Sequence, residues 1–190
     1  MIYGLQSRIS DQEMIRPSVW LRVVADDPIS RDIWVERQGY WAATICHSIS
    51  RNNALRGLNF SIFIVTPFRR VELKFKQYVK KFKKDNRISD GNSLFSSKWN
   101  NQNIGTIHKF QGKEADVVVV LTGLSGRFSG PAQTIMKNKP NLINVAVSRA
   151  KKYIYFVGDD ITWREVPYWG TVFEHVSVRP PASHLQTQQI

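Results

Sequence analysis

The chain has 190 residues and a formal net charge of +12, and this length suffices for one domain with a buried core. Cys46 is the single cysteine, which excludes a disulfide within the chain and fits a reducing, cytoplasmic setting. No apolar run approaches the roughly 20 residues of a membrane span, and the first residues lack the apolar core of a signal peptide, so we expect no membrane partner.

The basic charge, with a sequence isoelectric point of about 10.0, favours a polyanionic partner, of which nucleic acid is the most general. A basic protein without such a partner is the alternative. Composition divides the chain into a polar lead-in at residues 1–17, one domain at residues 18–176 and a flexible tail at residues 177–190, where prolines and glutamines collect.

Apolar patterns in chain order predict strands that alternate with helices. Apolar residues from Trp41 to Ile49 recur at every fourth position and predict a helix over about residues 34–49. Pro67 suits the first position of a second helix, whose many lysines form either a solvated face or a contact for nucleic acid. Residues 85–103 are rich in Asn and Ser and predict a surface loop. The predicted strands lie at about residues 19–24, 60–65, 103–107, 117–121 and 153–157.

This alternation predicts a three-layer α/β domain with a mostly parallel central sheet. Residues 117–120 are all valine, and an apolar run without alternation is typical of a strand buried on both faces. The polar loop before it, residues 108–116, is rich in groups that bind phosphate or ribose. Because ligands in open parallel sheets collect at the carboxyl ends of the strands, we expect this loop to lie there.

A second polar group follows at residues 141–152. Leu142, Val145 and Ala146 fall at helical spacing, whereas Arg149 lies largely off that face. A strand follows at once. We therefore expect a helix that delivers Arg149 next to the polar loop.

Three segments resemble motifs of superfamily 1 DNA/RNA helicases. The motif V pattern T-x-x-x-F-Q-G-[KR]-E-x-D-V-V matches residues 106–118, and the motif VI pattern N-V-A-x-[ST]-R-A-K matches residues 144–151. Residues 66–69 resemble motif IV. The resemblance is strongest for the branch that includes the nonsense-mediated-decay helicase and bacterial AAA-domain helicases. It implies that residues 18–176 form the second RecA-like domain of a helicase core.

A short stretch near the start, residues 2–5, resembles the segment that follows a tyrosine-arginine-methionine loop in these helicases. The resemblance therefore implies that the chain begins inside a larger protein. It also implies contacts with a first RecA-like domain, in the same chain or in a separate subunit.

The resemblance implies roles for particular residues. Arg149 resembles the arginine finger, which stabilises charge that develops on the γ-phosphate; a surface salt bridge is the alternative for it. Glu114 resembles the residue that meets the ribose hydroxyl, and a plain surface carboxylate is the alternative. Gly112 resembles the glycine that lets backbone approach the γ-phosphate. The positions implied near the nucleotide are Gln111, Gly112, Glu114 and Arg149, and those implied for nucleic acid are Thr66, Pro67, Arg69, Thr106 and His108.

The sequence contains only one half of an ATP site. No G-x-x-x-x-G-K-[ST] loop occurs in the chain, since Gly112-Lys113 is followed by Glu114, and no Asp-Glu pair follows an apolar strand. The histidines show no metal-ligand spacing. We therefore expect ATP and Mg²⁺ to bind only together with a first RecA-like domain, and we expect no ATP hydrolysis by this chain alone.

These observations leave three functional hypotheses. The first is the C-terminal domain of an ATP-dependent helicase or translocase that contacts single-stranded DNA or RNA. The second is a stand-alone module that binds nucleic acid or protein without ATP turnover. The third is an unrelated enzyme on the same fold, because fold alone does not determine function. A phosphate-binding loop encoded upstream of Met1 would favour the first.

Overall fold

A computed structural model of the chain describes residues 18–27, 32–55, 57–88, 94–126, 134, 136 and 141–180. The predicted lead-in at residues 1–17, and the last ten residues of the predicted tail, lie outside the described residues. The strands are β1 Val19–Arg22, β2 Ile62–Thr66, β3 Ile104–Thr106, β4 Ala115–Leu121, β5 Ala150–Gly158 and β6 Ser177–Arg179. They form one sheet in the order β3-β2-β4-β5-β1-β6, and every pair of neighbours is parallel.

Helices flank this sheet, which confirms the predicted α/β fold with three layers. The helices are α1 Glu36–Leu55, α2 Arg69–Asp85, α3 Ser97–Asn103, α4 Asn141–Val147 and α5 Asp160–Arg164, with 3-10 helices at Ile107–Phe110 and Gly170–Glu174. None of the helices in the described part of the chain is long and apolar enough to span a membrane.

The centre of the sheet is β4 between β2 and β5. Its four valines, residues 117–120, are fully buried, as expected of a central parallel strand that carries helices on both faces. The register pairs Val119 with Ile64 of β2 and with Tyr155 of β5. The apolar run that predicted a strand buried on both faces therefore lies at the core of the molecule.

Helix α1 is fixed to the sheet by a buried amide. The Gln38 Nε2 group donates hydrogen bonds to the carbonyls of Val23 and Leu124, at 3.0 and 3.1 Å. Gly39 lies under the Trp34 ring, where an added Cβ would come within 2.4 Å of the ring. These contacts place the start of α1 beside the carboxyl ends of β1 and β4.

Helix α2 follows the carboxyl end of β2. Its apolar face, formed by Val71, Phe75, Val79 and Phe82, is buried. Lysines fill its last turn, where positive charge complements the exposed carbonyls of a helix end. The predicted second helix is confirmed, but it starts at Arg69 after the N-cap residue Phe68, so Pro67 precedes the helix and does not occupy its first position.

Three local predictions were wrong. The segment 85–103, predicted as a loop, contains α3, whose first turn is capped by the Ser96 hydroxyl accepting from Trp99 N–H at 3.1 Å. Residues 148–149 form a turn rather than the end of a helix. Residues 177–179, assigned to the flexible tail, form β6 beside β1. In the last two cases pairing across the sheet outweighs the local pattern.

Candidate functional site

The predicted site residues divide between two opposite edges of the sheet. Thr66 and Thr106 are register partners at the carboxyl ends of β2 and β3. Val65, one residue earlier, pairs with Val120 near the carboxyl end of β4. Ala115 begins β4 at the other edge, about 20 Å away at the usual rise of a strand. The prediction that the whole loop lies at the carboxyl ends was therefore wrong for its second half.

The segment between these edges crosses one face of β2. The 3-10 helix places Ile107 and Phe110 in the core, and the Phe110 ring stacks on Phe63 of β2 with centroids 4.4 Å apart. Helix α4 contacts the same segment. The loop is therefore a packed crossover connection, and its two ends serve two different surfaces.

A tight turn closes the crossover. Lys113 N–H donates to the Phe110 carbonyl at 3.0 Å, Gln111 has extended backbone angles, and Gly112 has a φ of +78°. This is a type II turn, which requires a positive φ at its third residue and therefore favours glycine. No atom lies within 4 Å of the point where a Gly112 Cβ would stand. Gln111 and Gly112 are exposed, so the backbone of the turn is open to a ligand.

Arg149 lies beside this turn, at the amino edge of the sheet. Its guanidinium donates to the carbonyls of Val145 and Lys113, at 3.2 and 3.3 Å, and to the Ser148 hydroxyl at 2.9 Å. Its own carbonyl accepts from Ala115 N–H at 2.9 Å. Arg149 therefore links the motif V loop to the motif VI turn.

The contacts of Arg149 leave capacity for an anion. None of its partners in the described part of the chain is a carboxylate, which speaks against the surface salt bridge considered from the sequence. A guanidinium has five N–H groups, and these three hydrogen bonds use three of them. Two N–H groups and a full positive charge are left for a ligand.

Glu114 stands next to Arg149 on the exposed loop. Its carboxylate lies 3.6 Å from the Lys151 ammonium, and both side chains are 55% exposed. An exposed pair of this kind stabilises a protein by about 1 kcal/mol or less, so a ligand hydroxyl could displace Lys151. The motif VI pattern includes Lys151, but the resemblance implies no role for it.

Asp116, the acid of the motif V pattern, has a structural role. Its carboxylate accepts from the backbone N–H and the hydroxyl of Ser61, at 2.9 and 2.7 Å. Partial burial raises the pKa of Asp116, but the Ser61 hydrogen bonds and the nearby Lys152 and Lys151 outweigh it and hold the pKa below its usual value. Asp116 thereby ties the start of β4 to the start of β2.

The second surface lies at the carboxyl ends of β2 and β3. Thr66 is 1% exposed, and its hydroxyl accepts from Phe68 N–H at 3.3 Å, which shapes the turn into α2. Pro67 and Thr106 are half-buried, and His108 is exposed. The five residues implied for nucleic acid thus all lie on or beside this edge, and Arg69 opens the helix that follows it.

A buried carboxylate, Glu72, holds Arg69 in place. Arg69 and Lys76 each donate to one of its oxygens, the latter at 2.8 Å. Burial raises the pKa of Glu72, but the hydrogen bonds from Lys76 and Arg69 outweigh this and hold the pKa below its usual value. Glu72 was not predicted from the sequence. Its position three residues after Arg69 and four residues before Lys76 is nevertheless typical of ion pairs along one helix.

Lys109 is a further supporting residue that was not predicted from the sequence. Its ammonium donates to the carbonyls of Asn101 and Ile104, and its stem covers Gly105, where an added Cβ would lie 2.3 Å from the Lys109 side chain. Burial, followed by the nearby Lys76, lowers the pKa of Lys109. Lys109 therefore fastens the crossover to the end of α3.

No cluster of metal ligands accompanies these surfaces in the described ranges, because no three His, Cys, Asp or Glu side chains there are grouped to hold a metal ion. The amino edge offers a cation, an open glycine turn and an exposed acid. These groups can contact a nucleotide.

Two comparisons with known proteins bear on the family of the chain. Residues 32–161 match the model of the AAA domain family. A Danio rerio protein named "Putative helicase mov-10-B.1" is 29% identical to the chain over 117 residues. That match covers 57% of this chain and 10% of the Danio rerio protein, so the chain spans a small part of that relative. The chain belongs to the AAA domain family and is a helicase-like protein of superfamily 1.

Proposed function

We propose that this chain is the second, C-terminal RecA-like domain of an ATP-dependent superfamily 1 helicase or translocase of the nonsense-decay-helicase-like branch. Arg149 supplies the arginine finger to ATP held by a first RecA-like domain. The observation that carries the proposal is the placement of Arg149, whose guanidinium is fixed by backbone and hydroxyl oxygens and has no carboxylate partner among the described residues.

The chemistry at the amino edge is electrostatic. Phosphoryl transfer builds negative charge on the γ-phosphate oxygens, and a guanidinium already fixed in position stabilises that charge without reorganisation. The Arg149 contacts to the Lys113 carbonyl and the Ser148 hydroxyl supply this fixation. The finger therefore acts mainly in the transition state.

The other residues of this edge bind the nucleotide. The open turn at Gly112 lets its backbone approach the phosphates, with Gln111 beside it. Glu114 exchanges its weak contact with Lys151 for the ribose hydroxyl. Mg²⁺, which neutralises the phosphates during transfer, is held by the acid that the resemblance implies for the first domain.

Single-stranded DNA or RNA contacts the opposite, carboxyl edge. His108 is exposed there, Thr106 is half-buried, and the buried Glu72 holds Arg69 at the first turn of α2. Phosphate contacts at this edge lie about 20 Å from Arg149, as judged from the length of β4. Separate edges allow ATP and nucleic acid to bind at the same time, as a translocase requires.

A second candidate is a stand-alone module that binds nucleic acid or protein without turning over ATP. The net charge of +12, which suits a polyanion without any nucleotide, favours it. Under this proposal the basic surface alone has a function, and Arg149 contributes one positive charge among many.

The ATPase activity of two proteins distinguishes the candidates. One is the 190-residue chain alone, and the other is the same chain joined to a first RecA-like domain. We expect no turnover above background for the chain alone, and turnover that single-stranded nucleic acid stimulates for the joined protein. A joined protein that binds nucleic acid but hydrolyses no ATP would favour the stand-alone module. Robust turnover by the chain alone would contradict both candidates.

A further inference from the structure

Helix α2 concentrates positive charge. Its 17 residues contain eight Lys or Arg and two acids, Glu72 and Asp85, which gives a net charge of +6. The whole chain carries +12, so this helix accounts for half of the net charge in under a tenth of the sequence. Such a concentration makes a strong local field for a polyanion.

The charges are not spread evenly around the helix. The apolar side is buried against the sheet. Residues spaced alternately by four and three positions form a continuous exposed row, which we name the α2 stripe, with exposed Lys80 beside it. The stripe consists of Arg70, Lys74, Gln77, Lys81 and Lys84.

Acids neutralise only the first turn of the stripe. Arg70 donates two hydrogen bonds to Asp32 at 2.9 Å, and Lys74 contributes to the lowered pKa of that acid after Arg70 and the Trp34 N–H. Glu72 lies on the buried side. Within the described residues, Lys81 and Lys84 form no ion pair, and the nearest acid in the chain to Lys84 is its neighbour Asp85. The second half of the stripe is therefore a row of solvated ammonium groups.

The stripe lacks the groups that recognise single strands. Proteins bind unpaired bases by stacking them on exposed aromatic rings. The aromatic residues of α2 lie inward: Phe75 and Phe82 are buried, and Tyr78 packs against Trp34 and Phe82. Lysines without aromatics make contacts to phosphate alone, which position a nucleic acid without reading its bases.

We propose that the α2 stripe binds the phosphate backbone of a nucleic-acid duplex. Helix α2 is about 25 Å long, which matches roughly seven base pairs at 3.4 Å per phosphate along one strand. It starts two residues after Pro67, at the edge assigned above to single-stranded nucleic acid. A duplex held along α2 therefore leads from its paired region to that edge. This inference goes beyond the proposed function, because it requires neither ATP nor Arg149.

The test compares Lys81→Gln/Lys84→Gln with the original 190-residue chain. The probes are a labelled duplex longer than seven base pairs and one of its strands alone, measured by fluorescence anisotropy across a salt series. Each lost phosphate contact lowers the slope of log affinity against log salt by about 0.9, so we expect a reduction of about 2 for the duplex. Duplex affinity at low salt should fall on the order of tenfold. Single-strand affinity should fall less.

Two further variants control for charge. Arg51→Gln/Arg179→Gln removes two exposed or half-exposed cations outside α2 and should leave the duplex slope almost unchanged. Lys81→Arg/Lys84→Arg keeps the charge and should retain duplex binding. Circular dichroism should give the same helix content for all variants, since Gln, Arg and Lys have similar helix propensities.

Three results would overturn the inference. An equal loss in both Gln variants would mean that only the net charge matters. Unchanged duplex binding in Lys81→Gln/Lys84→Gln, with single-strand binding intact, would remove the duplex site and leave the carboxyl-edge proposal standing. Binding to phosphatidylserine vesicles, but not to the duplex, that depends on Lys81 and Lys84 would assign the stripe to an acidic lipid surface.

Discussion

At the scale of single residues, the site depends on groups that hold one another. Arg149 reaches across to the Lys113 carbonyl, and Glu114 reaches back to Lys151, so each motif supplies a partner for the other. At the second surface, Lys109 donates a hydrogen bond to the Ile104 carbonyl, and Glu72 accepts one from Arg69. Glu114 and His108 are exposed, whereas Glu72 is buried and Lys109 is half-buried.

We expect Arg149→Ala to lower ATP turnover of the two-domain protein by a factor on the order of 10³–10⁵. Arg149→Lys should restore little, because an ammonium lacks the planar fork of the guanidinium. ATP affinity should fall far less than turnover, as for an interaction made mainly in the transition state. Steady-state ATPase kinetics, ATP titrations and thermal melts measure these effects.

Ser148→Ala is the matched control for Arg149, since it removes one of the three contacts of the guanidinium and leaves the charge. It should lower turnover much less than Arg149→Ala. Near-normal turnover in Arg149→Ala would contradict its role as the finger.

Gly112→Ala should destabilise the chain by about 1 kcal/mol, because a residue with a Cβ is strained at a φ of +78°. Gly57→Ala provides the comparison: Gly57 has a φ of +67° and equally open surroundings, but it lies outside both edges. Urea denaturation should give similar losses of unfolding free energy for the two variants. Only Gly112→Ala should also reduce ATPase activity in the two-domain protein, and equal ATPase losses would contradict the role of the turn.

At the scale of elements, the carboxyl edge is held by a charged joint between β1 and α5. Asp160, at the start of α5, is buried and accepts two hydrogen bonds from Arg22 at the end of β1, at 2.6 and 2.8 Å. Asp159 beside it caps α5 and accepts from the Ser125 hydroxyl and Gly126 N–H, both at 3.0 Å. These acids join strands and loop, and they leave no open carboxylate for a metal ion.

Stability should fall in acid because of Asp160. Burial raises the pKa of Asp160, but the Arg22 hydrogen bonds and charge outweigh it and hold the pKa below its usual value. A carboxyl whose pKa is lower in the folded state stabilises the fold above its unfolded pKa of about 3.9. That stabilisation is lost as the pH falls through the folded pKa. Unfolding free energies measured by urea denaturation from pH 7 downwards should therefore decrease below about pH 5.

Asp160→Asn should remove part of this acid dependence and cost about 1–3 kcal/mol at pH 7, less than a fully buried pair because Arg22 is 50% exposed. Asp26→Asn is its matched control: that pair with Arg37 is exposed, with Asp26 79% exposed, and should contribute about 1 kcal/mol or less. Equal costs for the two variants would contradict the structural role of Asp160.

At the scale of the whole molecule, the two proposed surfaces occupy opposite edges of one parallel sheet. The crossover from Thr106 to Ala115 runs between them across β2. In this crossover the Phe110 ring stacks on Phe63 of β2, and the Lys109 ammonium donates a hydrogen bond to the Ile104 carbonyl. These contacts hold the two edges at a fixed distance from each other. A displacement of one edge is therefore transmitted to the other.

The 190-residue chain should bind single-stranded DNA or RNA weakly and with little sequence preference. Its net charge of +12 and the backbone contacts proposed at the carboxyl edge make phosphate the dominant partner, so affinity should fall steeply with salt. Anisotropy of labelled oligonucleotides of several sequences, each measured across a salt series, checks this. Binding that is independent of salt, or strongly selective for one sequence, would contradict it.

The sequence by itself predicted five of the six strands in the described residues and the two long helices. A run of four valines in β4 and the apolar spacing in α2 are local patterns, and local sequence is sufficient for them. Arg149 and its neighbours are proposed as site residues from the resemblance to motifs V and VI. The short helix α3 was not predicted, because its sequence shows one capping serine, Ser96, and no apolar periodicity.

Only the tertiary structure decided which edge of the sheet each residue occupies. That depends on register: Thr106 aligns with Thr66 at the carboxyl edge, whereas Ala115 aligns with Ala150 at the amino edge. Arg149 lies in a turn and not in a helix for the same reason. Its carbonyl accepts a hydrogen bond from Ala115 N–H, where the pairing of β4 with β5 begins. Pairing joins residues far apart in the chain, and its hydrogen bonds outweigh the helical preference of a single turn.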